Sequence, residues 1–167
     1  MIGADFTIRR TSHVGLIHKT SGFSLMEIMM VLAIIMTLGA VAIPRYADLL
    51  ARYRLGIAAH RIVRDFALVR SEAKATSTQR TLQFDVEQDR YQLLPLVNLV
   101  DRQNPYAVNL SNQPYCVRLV SANFSDRTSV NFDGYGLAES GGTVVIQVGS
   151  STKTIVLNDE SGIATEQ

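Results

Sequence analysis

This 167-residue chain is poor in the side chains that most catalytic sites require: it has one cysteine and three histidines. A single thiol excludes an intramolecular disulfide. No neighbour in sequence activates Cys116, which reads as a small hydrophobe buried in strand context. His13 and His18 both lie within the first 22 residues. If that segment is removed, His60 alone remains for a Ser–His, Cys–His or His-based metal site. No P-loop, GxGxxG or CxxC pattern occurs. The acids of the C-terminal part are scattered beside turns. Asp85, Glu87 and Asp89 alternate across a strand end and offer oxygens to a cation such as Ca²⁺, but without the ligand-dense loop of such sites. The expectation is a chain that is not an enzyme, with no catalytic residues, no cofactor and no metal.

Charge is also scarce along one stretch. The run Phe23–Ile43 contains 21 residues and a single charge, Glu27. At about 1.5 Å per residue it spans about 31 Å of helix, close to the hydrocarbon thickness of a bilayer. Its ten Leu, Ile, Phe and Val residues favour insertion by roughly 3–6 kcal/mol. A central acid would cost about 3 kcal/mol, and Glu27 sits near one end, where the cost is lower. The run therefore inserts despite its carboxylate. It is longer than the core of a cleaved secretory signal, and Pro44-Arg45-Tyr46 follows it instead of an A-x-A site. A plain single-pass anchor is the simplest reading of the run alone.

The remaining charge is unevenly placed. Residues 1–22 carry Arg9, Arg10 and Lys19 against Asp5, a net of +2. Residues 44–76 carry seven basic and three acidic residues, a net of +4, and residues 77–167 six basic and ten acidic, a net of −4. Basic residues before the span place the leader in the cytoplasm and the C-terminal part across the membrane. The basic segment just after the span opposes this, although long domains cross largely regardless of charge.

Four segments follow: a polar leader (1–22), the apolar helix (23–43), an amphipathic continuation (44–76) and a strand-rich head (77–167). The helix is expected from about Ser24 to about Thr76, roughly 80 Å if continuous, with a kink where Pro44 removes a donor. Leu55, Ala58, Ile62, Phe66, Val69 and Ala73 form one apolar stripe suited to packing on the head. Tyr46, Leu50, Tyr53 and Ile57 form a second, rotated by roughly 140°. The second stripe packs against another subunit or is sheathed by loops of its own chain. Short alternating runs at Arg80–Val86, Tyr91–Leu94, Tyr115–Val120, Ser129–Phe132, Thr143–Val148 and Thr154–Leu157 read as strands, the first two as a hairpin. The segment 96–114, with two of the four prolines, reads as an exposed loop. The fold class is α+β: a long N-terminal helix packed on an antiparallel sheet head.

Gly22-Phe23-Ser24-Leu25-Met26-Glu27, followed by the apolar run, resembles the processing signal of type IV pilins and type II secretion pseudopilins. Pro44 falls where many pilins carry a helix-kinking proline. The resemblance implies cleavage between Gly22 and Phe23 by a prepilin peptidase, N-methylation of Phe23, and a helix that is first an inner-membrane anchor and then filament core. It further implies a periplasmic head and partnership with other pilins or pseudopilins and the inner-membrane assembly platform. It assigns assembly roles to Glu27 and Pro44. Less strongly, the rest of the chain resembles the GspH/FimT minor subunits. The residues that carry this are Arg70-Ser71-Glu72-Ala73, the turn Phe132-Asp133-Gly134-Tyr135-Gly136, and the closing Ile155-Val156-Leu157…Gly162-Ile163. The implied function is a minor subunit, at or near the tip, of a type II secretion pseudopilus or type IV pilus.

The alternative is a FimT-like DNA-binding minor pilin for DNA uptake. Arg52, Arg54, Arg61, Arg64 and Arg70 offer phosphate contacts. Some FimT-like members bind DNA through a basic C-terminal Gly-Arg-x-Arg tail, whereas here Ile163-Ala164-Thr165 follows Gly162, so that site is not carried over. With a net acidic head, the helix arginines are expected to be solvated or paired between subunits, and nucleic acid is not an expected partner.

Overall fold

A computed structural model of the chain describes residues 22–97 and 105–167. The expected leader, apart from Gly22, and the middle of the expected 96–114 loop lie outside the described residues. The chain divides into two compact units, Met1–Val41 and Ala42–Gln167. Helix α1 (Leu25–Thr76) contributes to both and includes Pro44.

In the first unit the helix is apolar on every side and exposed: Met26, Met29, Met30, Ile35, Met36 and Leu38 all face outward. The stretch is long and apolar enough to cross a membrane. A helix that is hydrophobic all round needs lipid or protein around it.

The second unit has its own core. The helical stripe read from sequence is buried throughout, from Leu55 through Ala58, Ile62, Phe66 and Val69 to Ala73. Eight strands follow: β1 (Arg80–Asp85), β2 (Arg90–Val97), β3 (Pro105–Asn109), β4 (Arg118–Asn123), β5 (Ser129–Phe132), β6 (Gly142–Val148), β7 (Ser151–Asn158) and β8 (Ile163–Glu166). They form two four-stranded antiparallel sheets, ordered β3-β2-β1-β5 and β4-β6-β7-β8. Phe66 of α1 joins them: its ring lies 6.0 Å from Phe84, 6.1 Å from Phe124 and 6.4 Å from Phe132, centroid to centroid.

Three expectations require correction. First, β3 lies inside the segment read as a loop. It is an edge strand with Pro105 at its first position, where a missing N–H is tolerated, and only Val108 is fully buried, so the alternation is faint. Second, β8 was not foreseen. Its four residues gain strand structure by pairing Ile163–Glu166 with Ile155–Asn158. Third, the strand expected from Tyr115 begins only at Arg118. The N–H groups of Tyr115 and Cys116 both donate to the Asn112 carbonyl, at 3.0 Å each, and Cys116 has φ of 50°. Cys116 is therefore half-buried in a turn rather than packed within a strand.

Candidate functional site

Two places concentrate polar groups that an apolar environment must accommodate. The first is the start of α1. The Ile28 N–H donates to the Ser24 carbonyl at 3.2 Å, which opens the helix and puts Glu27 in its first turn. There the orphan N–H groups and the positive end of the helix dipole favour a carboxylate. Phe23, Glu27, Ile28, Val31 and Leu32 line a shallow apolar depression of about 260 Å³. Phe23 is 78% exposed. The acid thus sits in an apolar-lined depression on an exposed stretch of helix.

The second place lies where α1 packs on the strands to complete the head, around Asp65, the one buried charged side chain among the described residues, 4% exposed. The β-sheet register explains how it is satisfied. Tyr91 pairs with Val108 and Leu93 with Tyr106, so Tyr91 and Tyr106 are diagonal neighbours on one face of the sheet. Both reach the helix. The Tyr91 hydroxyl donates to Asp65 Oδ2 at 2.6 Å, and the Tyr106 hydroxyl lies 3.2 Å from Oδ1. One helical turn before, Arg61 Nε donates to Oδ2 at 3.2 Å, and its guanidinium also bonds the Tyr106 hydroxyl and lies over that ring, 5.8 Å from the centroid. Burial, and then the adjacent Asp65 carboxylate, push the Tyr91 and Tyr106 phenols above their ordinary range. Arg61 is held charged by Asp65 against the opposing effect of its burial. The arrangement is structural: a buried carboxylate met by three donor groups of its own chain.

In the sequence Asp65 stands out only as one charge among the ten of residues 44–76. The available signal was its place beside the buried stripe, three residues after Ile62 and four before Val69. Arg61, expected to be solvated or paired between subunits, is instead paired within its own head.

The other candidates are tied into the scaffold. Asp85 accepts from the Gln88 N–H and from Arg90 Nε, and Asp89 from the Leu119 N–H of β4 at 2.7 Å, so two of the three carboxylates of the suggested cation site already serve the fold. Among the described residues no cluster of three or more His, Cys, Asp or Glu is placed to hold a metal. His60 Nδ1 lies 3.5 Å from Glu166, whose carboxylate is held below its ordinary range chiefly by a hydrogen bond from Lys153, 2.6 Å away.

The three motifs quoted for the GspH/FimT resemblance meet in space. Arg70 Nε donates to the Gly136 carbonyl at 3.3 Å. Gly136 has φ of 76°, and Gly162 has φ of 62°. A β-carbon at Gly162 would stand 2.7 Å from the Gly136 carbonyl oxygen and 3.5 Å from Arg70 Nε. The helix end, the 132–136 turn and the last turn are thus locked together where only glycine fits twice.

No protein-family model and no curated sequence matches the chain. Two solved structures resemble it. The type IV minor pilin FimU of Pseudomonas aeruginosa matches with a TM-score of 0.53 at 15% identity, over 70% of this chain and 90% of that one. The minor pseudopilin EpsH of the Vibrio cholerae type 2 secretion system matches with a TM-score of 0.51 at 14% identity, over 68% and 96%. With its long N-terminal helix and antiparallel sheets, this chain has the pilin-like fold found in type IV minor pilins and type II secretion minor pseudopilins.

Proposed function

We propose that the chain is a minor subunit of a pseudopilus or type IV pilus, and that Phe23–Ile43 is its assembly element. The observation that carries this reading is an all-round apolar helix with one acid in its first turn, on a chain whose head has the pilin-like fold. Such a helix is held first by the inner membrane, with the head on the periplasmic side, and afterwards by neighbouring subunits. Removal of the leader between Gly22 and Phe23 creates an α-amino group four residues before Glu27. A carboxylate taken into an apolar filament core without a cation is costly, and pairing with a neighbour's new amine offsets that cost. Attraction grows as the local dielectric falls, so the pair sets axial register while the apolar faces supply adhesion. A place at or near the tip suits a minor subunit. N-methylation of Phe23, the prepilin peptidase and the assembly platform belong to the same reading.

The experiment is incorporation of Glu27→Ala and Glu27→Asp subunits into filaments, each judged against membrane insertion of the same variant. Insertion should be unaffected or improved in Glu27→Ala while incorporation falls, and Glu27→Asp should retain part of it. Normal incorporation of Glu27→Ala would remove Glu27 from assembly.

A further inference from the structure

The face of α1 opposite the buried stripe is not plain solvent surface. Tyr53, Ile57, His60, Arg61 and Arg64 of α1, with Tyr115 of the turn before β4, surround a groove of about 480 Å³ within the head. We propose that this groove receives a short extended segment of a neighbouring subunit in which a carboxylate lies within two residues of an aromatic or aliphatic side chain. The identity of the partner rests on the filament reading above; the ligand chemistry does not.

Four observations carry the inference. Part of the wall is apolar or aromatic, formed by Tyr53, Ile57, Pro114 and Tyr115, and Tyr53 is 66% exposed. The charged lining groups are cationic. Arg64 is exposed and has no hydrogen bond or ion pair among the described residues. Arg61 is already held by Asp65 and Tyr106, so little side-chain freedom remains to be lost when its other N–H groups bind a ligand. The carboxylates nearby are spent: Asp65 is buried behind Arg61, and Glu166, beside His60, is paired with Lys153.

Charge complementarity selects an acidic ligand, and the rest of the head selects a short one. Residues 77–167 carry six basic and ten acidic residues. A polyanion leaving the groove on the Tyr115 side would run onto that acidic surface, whereas a segment of a few residues would not. This favours a peptide over single-stranded nucleic acid, whose binding needs a continuous basic track.

The test uses the full chain in detergent micelles at physiological salt and a fluorescein-labelled peptide Gly-Glu-Phe-Glu-Leu-Gly, read by anisotropy. The peptide should bind, and a version with lysine for glutamate should not. Arg64→Glu should weaken binding by at least about tenfold, the worth of one charge-assisted hydrogen bond. Arg64→Lys should recover part of it, and Tyr53→Ala should weaken it as well. Both sites are exposed, so neither change threatens the fold. Absence of binding, equal binding by Arg64→Glu, or tighter binding of the lysine peptide overturns the proposal. Displacement of the peptide by oligothymidylate at the same salt also overturns it, in favour of nucleic acid. Co-sedimentation of wild type and Arg64→Glu with filaments separates the two readings. Wild type that never enters filaments defeats the filament reading and leaves the peptide result intact. An Arg64→Glu chain that loses the peptide yet assembles normally defeats the neighbouring subunit as its source.

Discussion

Replacing Tyr91 by phenylalanine removes one hydrogen bond and almost nothing else. The Tyr91 side chain is fully buried and its ring lies 5.4 Å from Phe84, centroid to centroid, so phenylalanine keeps the apolar burial and the aromatic contact. What is lost is a 2.6 Å bond from a neutral hydroxyl to a buried carboxylate. Hydrogen bonds to charged groups are worth about 1.5–3 kcal/mol. Asp65 keeps Arg61 and Tyr106, so the lower half of that range applies, about 1.5–2 kcal/mol. Asp65→Ala should cost more, about 3 kcal/mol, the low end for breaking a buried pair. It strands the Tyr91 hydroxyl in the core, whereas Arg61, with a side chain 39% exposed, can turn to water. The assay is urea unfolding of the fragment 42–167, a compact unit with its own core. In thermal melts the two changes should lower Tm by about 6–8 °C and about 12 °C, at about 4 °C per kcal/mol for a domain of this size. A Tyr91→Phe fragment within about 0.5 kcal/mol of wild type, the ordinary scatter of neutral substitutions, would refute the idea that this network holds β2 and β3 to the helix.

The same network makes the head sensitive to alkali. The phenols of Tyr91 and Tyr106 are raised by burial and by Asp65. Below about pH 10, the ordinary tyrosine value, folded and unfolded chains both keep these protons and the contribution to stability is complete. Above it the unfolded chain releases protons that the folded chain retains, so stability falls as pH rises, and Tyr91→Phe should flatten that slope in urea titrations. Gly162→Ala should destabilise the head by about 2–4 kcal/mol, combining a left-handed backbone with an overpacked contact to the Gly136 carbonyl. Gly149→Ala, with φ of 58° but open space around it, should cost only the backbone part. Unfolding midpoints of the two variants test the difference.

Much of the architecture is legible in single residues and their spacing. Ala73 closes a buried stripe that starts at Leu55, because a helix against a core must present an apolar residue every three or four positions. The hairpin β1–β2 was readable from alternation on either side of a turn. β3 and β8 were not, because an edge strand or a terminal strand has half its ladder open and needs few buried side chains to form. The Asp65 site was hidden for a related reason. Its partners Tyr91 and Tyr106 lie 26 and 41 residues away in sequence, and only the pairing register of β2 with β3 places them side by side.

The amino-acid sequence by itself determined the unbroken apolar run with one acid, the processing-like junction at Gly22–Phe23, the α+β order and the buried helix stripe. Those features are local, since each depends on spacing along one chain segment and on the period of a helix or strand. Tertiary structure alone decided that the strands divide into two sheets and that Asp65 is sealed by two tyrosines and an arginine. It also decided that Arg70, Gly136 and Gly162 interlock and that Arg64 is left facing a groove. Each of these depends on which distant segments meet, and that is settled by strand register and close packing rather than by any periodicity in the chain.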